Sequence, residues 1–369
     1  MNQNSRTTRL REYINAMLPA AHGHQKKVIF DFVCALIAEK SCCQATLARH
    51  FGNFEAAAKR LARCLRNERL EVEYLARSTA RQILAQLPVS GTVRLAIDWT
   101  IEGTQHLLVA SVMIGRRAIP LYWEAYDQCE LKDRRSSYEH EFVRLLLSEV
   151  LCGVARSRLM ITADRGFANV ELFDLLNELK VSWVLRVKSS TKVKVGREWR
   201  RLQTLRLAGN QRRRSLGRLS YCESAPRRLF VTQARARSRK GQWGIWFLVS
   251  NRNWSAQRTT DEYARRFGCE EGFRDAKRML GFAQARIADL TAWTRMFTLV
   301  AISLLVLVGI GCRLVKQSWV GTVLRRVCSR RTARRELSLV RAVTELLKDD
   351  KSLWELLDHQ AKLNLDACL

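Results

Sequence analysis

The sequence predicts an α/β core set between helical regions, on three observations. Between Val93 and Lys188, short apolar runs alternate with segments of helical periodicity, as strands and helices do when they share one layered core. Before Pro88 and after residue 290, apolar residues recur at helical spacing instead. Residues 189–242 break the rhythm: they are rich in arginine, as in NQRRRSLGR, with only short β-like pieces such as LFVTQA. The 369 residues suffice for two or three domains. The expected layout is a helical region at 1–88, a core at 89–188 and 243–290, a basic β insertion subdomain at 189–242, and a helical C-terminal region at 291–369.

Each element has its local reason. KKVIFDFVCALIAE (26–39) has helical apolar spacing. SCCQATLARHFG (41–52) and FEAAAKRLARCLRNERL (54–70) form two further helices around a Gly-Asn turn, with Lys59, Arg60, Arg63 and Arg66 mostly along one side. That pair reads as a helix-turn-helix whose residues 54–66 could enter a major groove; an ordinary helical hairpin with a basic outer face is the plainer alternative. VRLAIDWT (93–100), HLLVASVMI (106–114) and AIPLYWEAY (118–126) read as an antiparallel meander, turning at Gly115-Arg116-Arg117. A helix at about 138–152 follows, then a strand in SRLMITADRGF (157–167), a helix at 168–179 and the strand VSWVLRVK (181–188). WGIWFLVSN (243–251) returns to strand, and DEYARRFGCEEGFRDAKRML (261–280) is helical. MFTLVAISLLVLVGIGC (296–312) is apolar throughout, at the short edge of a membrane span. A helix buried on all sides is favoured over a span, because no second span accompanies it and the chain is so basic.

The net charge of +29 points to a polyanionic partner, while 47% hydrophobic residues mark a folded globule rather than a basic tail. The 11 cysteines are odd in number and contain no CxxC pair, and the six histidines form no ligand cluster. Neither a disulfide framework nor a zinc site is expected, and buried thiols in a reducing cytosol fit best.

Three acids carry the chemistry. Asp98 and Asp164 each end an apolar strand, where a side chain points into the crevice in which open α/β sheets bind ligands. Strand-end aspartates are also common turn starters. Glu270 lies on the later helix. At about 100° per residue, Tyr263, Arg266, Glu270 and Lys277 project within an arc of roughly 60°. The plain reading of that strip is a solvated face with i,i+4 pairs such as Arg266–Glu270. Glu271 is a rival third acid, but it falls about 80° from Tyr263, away from the strip. Three converging carboxylates suit two Mg²⁺ ions, which can drive in-line phosphoryl transfer.

The order meander, helix, strand, helix, strand is that of the RNase H-like fold. Tyr263, Arg266, Glu270 and Lys277 reproduce the spacing Y-x2-R-x3-E-x6-K, and the chain resembles a DDE transposase of the insertion sequence four family of bacterial mobile elements. The resemblance covers roughly residues 90–290. It implies that Asp98, Asp164 and Glu270 are catalytic metal ligands for Mg²⁺, with Mn²⁺ as a substitute. It implies that Tyr263, Arg266 and Lys277 grip DNA phosphates, and that Arg165, next to the second aspartate, belongs to the site. Its partners would be the terminal inverted repeats of an insertion sequence and target DNA, bound by a homodimer in the bacterial cytoplasm. In relatives that cut through a DNA hairpin, a tryptophan at the start of the corresponding strand stacks on a flipped base, and Trp246 aligns with it best; a core position is the alternative. Lys59, Arg60 and Arg63 are the expected DNA contacts of the N-terminal helices. A nuclease without strand transfer, or a transposase-derived repressor, would share most of these features.

Overall fold

A computed structural model of the chain describes residues 8–114, 117–237, 241–314 and 340–344. The turn expected at 115–116 and most of the C-terminal region beyond 314 lie outside the described residues. Strands β1 (Val93–Glu102), β2 (Gln105–Ile114), β3 (Arg117–Asp127), β4 (Leu159–Ala163) and β5 (Ser182–Val187) form the first half of a sheet. The second half comprises β6 (Lys192–Val195), β7 (Glu198–Arg201), β8 (Arg213–Tyr221), β9 (Arg227–Arg237) and β10 (Trp243–Ser250). All ten belong to one sheet in the order β3-β2-β1-β4-β5-β10-β9-β8-β6-β7. β4 runs parallel to both β1 and β5; β10 joins β5 antiparallel and carries the sheet onward through β9. The basic insertion is therefore joined to the core through the sheet. Its strands extend the central sheet, because β10 offers its second edge to β9 and no break in hydrogen bonding intervenes.

Alternation along the strands sorts side chains to two faces. On one face, Met160, Val184 and Leu248 pack with Tyr263, and Ala96 packs with Cys269. These contacts cover the sheet with α8 (Ala256–Arg265) and α9 (Phe267–Arg274). On the other face, Trp183 stacks on Phe173 of α7 (Val170–Glu178), with ring centroids 4.9 Å apart. Trp99 Nε1 donates to Glu139 of α6 (Arg135–Leu145) at 2.7 Å. The helices begin where their caps dictate: Asn169 accepts from Leu172 N at 2.7 Å and Ser255 from Arg258 N at 3.2 Å, each side-chain oxygen satisfying a first-turn donor.

The N-terminal helices are α1 (Thr8–Met17), α2 (Gly23–Glu39), α3 (Gln44–Arg49), α4 (Phe54–Arg66) and α5 (Val72–Leu84). They share one hydrophobic cluster with the sheet. The link is α10 (Leu290–Leu314), which packs against α2, α4, α5 and β3. Its stretch Leu290–Gly309 is long and apolar enough to cross a membrane, yet from Ala292 onward it is buried inside the protein, so the apolar run is a core helix here. Arg295, 6% exposed, donates Nη1 to Leu65 O and Nε to Leu70 O, both at 2.8 Å, tying α10 to the end of α4.

A second tie joins the segment before α3 to the segment after α9. Cys42 Sγ donates to Leu280 O at 3.2 Å and Ser41 Oγ to Gln284 Oε1 at 2.9 Å. Gly281 makes that approach possible. Its φ is +70°, and a Cβ there would stand 2.7 Å from Ser41 Cα and 2.9 Å from Lys40 O. Both obstacles are backbone, so Gly281→Ala meets strain in φ and a clash that no rotamer relieves. The expected loss is at least about 2 kcal/mol, measurable as a lower denaturant midpoint; an unchanged midpoint would show that the two segments separate easily.

Candidate active site

The pairing of β1 with β4 aligns Ile97 with Ala163, so the residues that follow, Asp98 and Asp164, stand side by side. The pairing of β4 with β5 aligns Ala163 with Leu185, which puts Arg186 next in the row. All three share the sheet face covered by α8 and α9. Arg186 did not stand out in the sequence, where it is one basic residue among many; the only signal was a charge inside the apolar run VSWVLRV. Its guanidinium carbon lies 5.9 Å from the Trp246 ring centre.

The segment crossing this row is not one straight helix. The chain turns at Arg266, between α8 and α9, through i,i+3 bonds from Arg266 N to Tyr263 O (3.0 Å) and Cys269 N to Arg266 O (2.8 Å). A π-helical turn at Asp275–Met279 closes with Leu280 N on Asp275 O at 3.0 Å. These departures change which of the four signature side chains meet. Arg266 and Glu270 reach the aspartate row. Lys277 does not: its Nζ donates to Ile101 O at 2.8 Å and pairs with Glu102 at 2.5 Å, at the far end of β1.

Arg266 is the centre of the cluster. Only 4% exposed, it donates Nη1 to Asp98 Oδ2 at 2.7 Å and Nη2 to Glu270 Oε1 at 2.9 Å. Burial alone would disfavour its charge, but Tyr263, Asp98, Asp164 and Glu270 outweigh that and hold the guanidinium more firmly protonated than usual. Asp98 sits above the usual carboxylate range, because burial raises it more than Arg266 lowers it, and Asp164 adds repulsion. Tyr263 is fully buried; its hydroxyl is 3.4 Å from Asp164 Oδ1, and burial pushes it up to about 12. A phenol at that value is a proton-bearing donor at neutral pH, not a base.

The other candidates are distributed as follows. Glu271 pairs with Arg274 and, at 3.6 Å, with Arg117, away from the aspartate row. Arg165 is exposed in the turn directly after Asp164. Lys59 and Arg63 are exposed on α4. Arg60 is not on that outer face: its guanidinium lies 4.9 Å from the Phe51 ring centre and 3.3 Å from Asp31, so packing within the helical region claims it.

Trp246 is half-buried on the α8 face, its ring centroid 5.3 Å from Phe267 with the planes 23° apart, and 5.3 Å from Tyr263. Phe267 thus stacks on one face of the ring and Tyr263 meets it near a right angle, while part of the ring's surface stays exposed. Trp246→Ala is expected to cost about 2–3 kcal/mol of stability, somewhat less than a fully buried tryptophan. A variant of unchanged stability whose reaction stalls after the first nick would instead support the base stacking expected of Trp246.

Do these acids fit the divalent ion that the resemblance implies? Their chemistry does, being hard carboxylate oxygens, and so does their charge, since the protein already sets a buried cation among them. Their spacing does not yet. Among the described residues, no three His, Cys, Asp or Glu side chains lie close enough to hold a metal ion, and the Arg266 fork separates Asp98 from Glu270.

Residues 134–306 match the family described as transposase DDE domain. That span includes Asp164 and the segment bearing Tyr263 to Lys277, and leaves Asp98 outside it. No curated protein matches the chain. DDE transposases generally use divalent metals such as Mg²⁺. The transposase DDE domain matched at 134–306 indicates a DDE transposase, an enzyme of the polynucleotidyl transferase and endonuclease class.

Proposed function

We propose that the protein binds the terminal inverted repeats of an insertion sequence of the insertion sequence four type and moves it by cutting and rejoining DNA strands. The observation that carries this reading is the convergence of Asp98, which lies within β1 rather than at its end, and of Glu270, from a helix far along the chain, on one buried guanidinium beside Asp164. Such a cluster stabilises no part of the fold that an apolar packing would not stabilise as well, whereas phosphoryl transfer needs acids and a guanidinium at one point. When bound by Asp98, Asp164 and Glu270, Mg²⁺, or Mn²⁺ in its place, would supply Lewis acidity at the scissile phosphate.

The chain's own groups have separate tasks. Arg266 and Arg186 offer guanidinium forks suited to phosphate oxygens, and Tyr263 donates a proton-bearing hydroxyl. Exposed Lys59 and Arg63 belong to the helix that would read the element ends, and exposed Arg165 with the arginines of β8 and β9 supplies the sequence-independent hold on the backbone that a charge of +29 permits. Two protomers would act on paired ends.

The test incubates the full chain with DNA carrying both element ends and flanking sequence, with Mg²⁺, and resolves products on denaturing gels. The reading expects cleavage at the element ends and joined strands. Cleavage without any joined product would leave a nuclease instead.

A further inference from the structure

We propose that Arg266 is a resident cation that keeps the carboxylates from sharing a metal ion until DNA draws it away, so that metal and DNA bind cooperatively. This rests on the reading above, in which the three acids hold the metal. The fork spans Asp98 and Glu270 through two different nitrogens, at 2.7 and 2.9 Å, and one guanidinium cannot keep both bonds while the two carboxylates close on a common ion. Its third nitrogen, Nε, is buried and has no hydrogen-bond partner among the described residues. Arg266 is thus electrostatically anchored but incompletely bonded, an arrangement that a further acceptor would improve.

Phosphate is the acceptor that suits it. A guanidinium pairs with phosphate as well as with carboxylate in bidentate form, and a DNA phosphate arriving at this edge of the sheet would offer oxygens to the same fork. If the fork turns to phosphate, Asp98 and Glu270 both lose the guanidinium that joins them. Acids that have given up that cation, beside Asp164, favour a divalent cation in its place. Since each ligand removes the obstacle to the other, the coupling must be reciprocal: DNA raises metal affinity by the factor by which metal raises DNA affinity.

The test titrates Mn²⁺ into the full chain and reads the free ion by electron paramagnetic resonance, with and without an element-end duplex, after subtracting the ions held by DNA alone. The wild-type chain is expected to bind Mn²⁺ at least about tenfold more tightly with the duplex than without it. Without DNA, Arg266→Gln is expected to bind it at least about tenfold more tightly than wild type. Arg94→Gln breaks a different pair, with Glu262 at 2.7 Å, and is expected to change affinity by less than about twofold. Equal Mn²⁺ affinity of wild type and Arg266→Gln, or the same rise in Arg94→Gln, would overturn the proposal. Should Arg266→Gln fail to fold, the wild-type comparison with and without duplex decides alone, and a DNA-independent affinity overturns it. Cleavage by Asp98→Asn at the wild-type rate would instead overturn the underlying reading, so the two failures are separable.

Discussion

Alanine at Glu270 is expected to abolish cleavage, lowering it at least about a thousandfold, equivalent to about 4 kcal/mol of barrier, while leaving binding to element ends within a few fold. The same outcome is expected at Asp98 and Asp164. Cleavage depends on the carboxylates at one point, but affinity comes from basic contacts to many phosphates. The three positions differ in their side effects. Asp98→Ala leaves the buried Arg266 fork with one of its two carboxylate bonds, and removing one partner of a buried pair costs up to about 3–5 kcal/mol. Asp98→Asn preserves shape and one acceptor, so it separates lost chemistry from lost stability. Asp164→Ala forfeits the long contact with Tyr263 and part of the charge that steadies Arg266, but relieves repulsion on Asp98, and is expected to melt close to wild type. Retained cleavage by Glu270→Ala in Mg²⁺, with Glu271 still present, would sink the choice of third acid.

Removing residues 1–88 is expected to leave the rest of the chain insoluble rather than to yield a core with non-specific DNA binding. As a chain of helices ahead of Pro88, the region looks detachable. In the fold it is not: α2, α4 and α5 pack on α10, and Leu36, Leu61, Leu65 and Leu75 are each at most 2% exposed. Uncovering a buried apolar side chain costs about 1.5–3 kcal/mol. The partners of four or more such residues would exceed much of the 5–15 kcal/mol by which a domain is stable. Cutting also removes the Cys42 and Ser41 contacts to the segment after α9. A truncated protein that is soluble, melts cooperatively and still prefers its ends would refute both this coupling and a DNA-reading role for residues 54–66.

What was legible in the sequence is what depends on near neighbours. Strands at 93–100, 106–114 and 118–126 followed from short apolar runs between turn signals, and the observed β1, β2 and β3 differ by a residue or two at their ends. Asp98 and Asp164 stood out because an acid closing an apolar run is conspicuous in one dimension, and Glu270 because its spacing to Tyr263 and Arg266 is regular. That the strands of arginine-rich residues 189–242 continue the central sheet was not legible, because edge-to-edge pairing of β5, β10 and β9 leaves no mark in composition. The tertiary structure alone decided which charges meet. A turn at Arg266 and a π turn at 275–279 defeat the uniform rotation assumed for a helix, sending Lys277 to Glu102 and Arg266 to Asp98. Parallel pairing placed Arg186 in the aspartate row, and packing drew Arg60 inward to Phe51 and Asp31. Residue type and spacing set each side chain's chemistry and local conformation; its partner depends on which strand edge or helix face the whole chain brings alongside, a choice made by burial summed over the entire core.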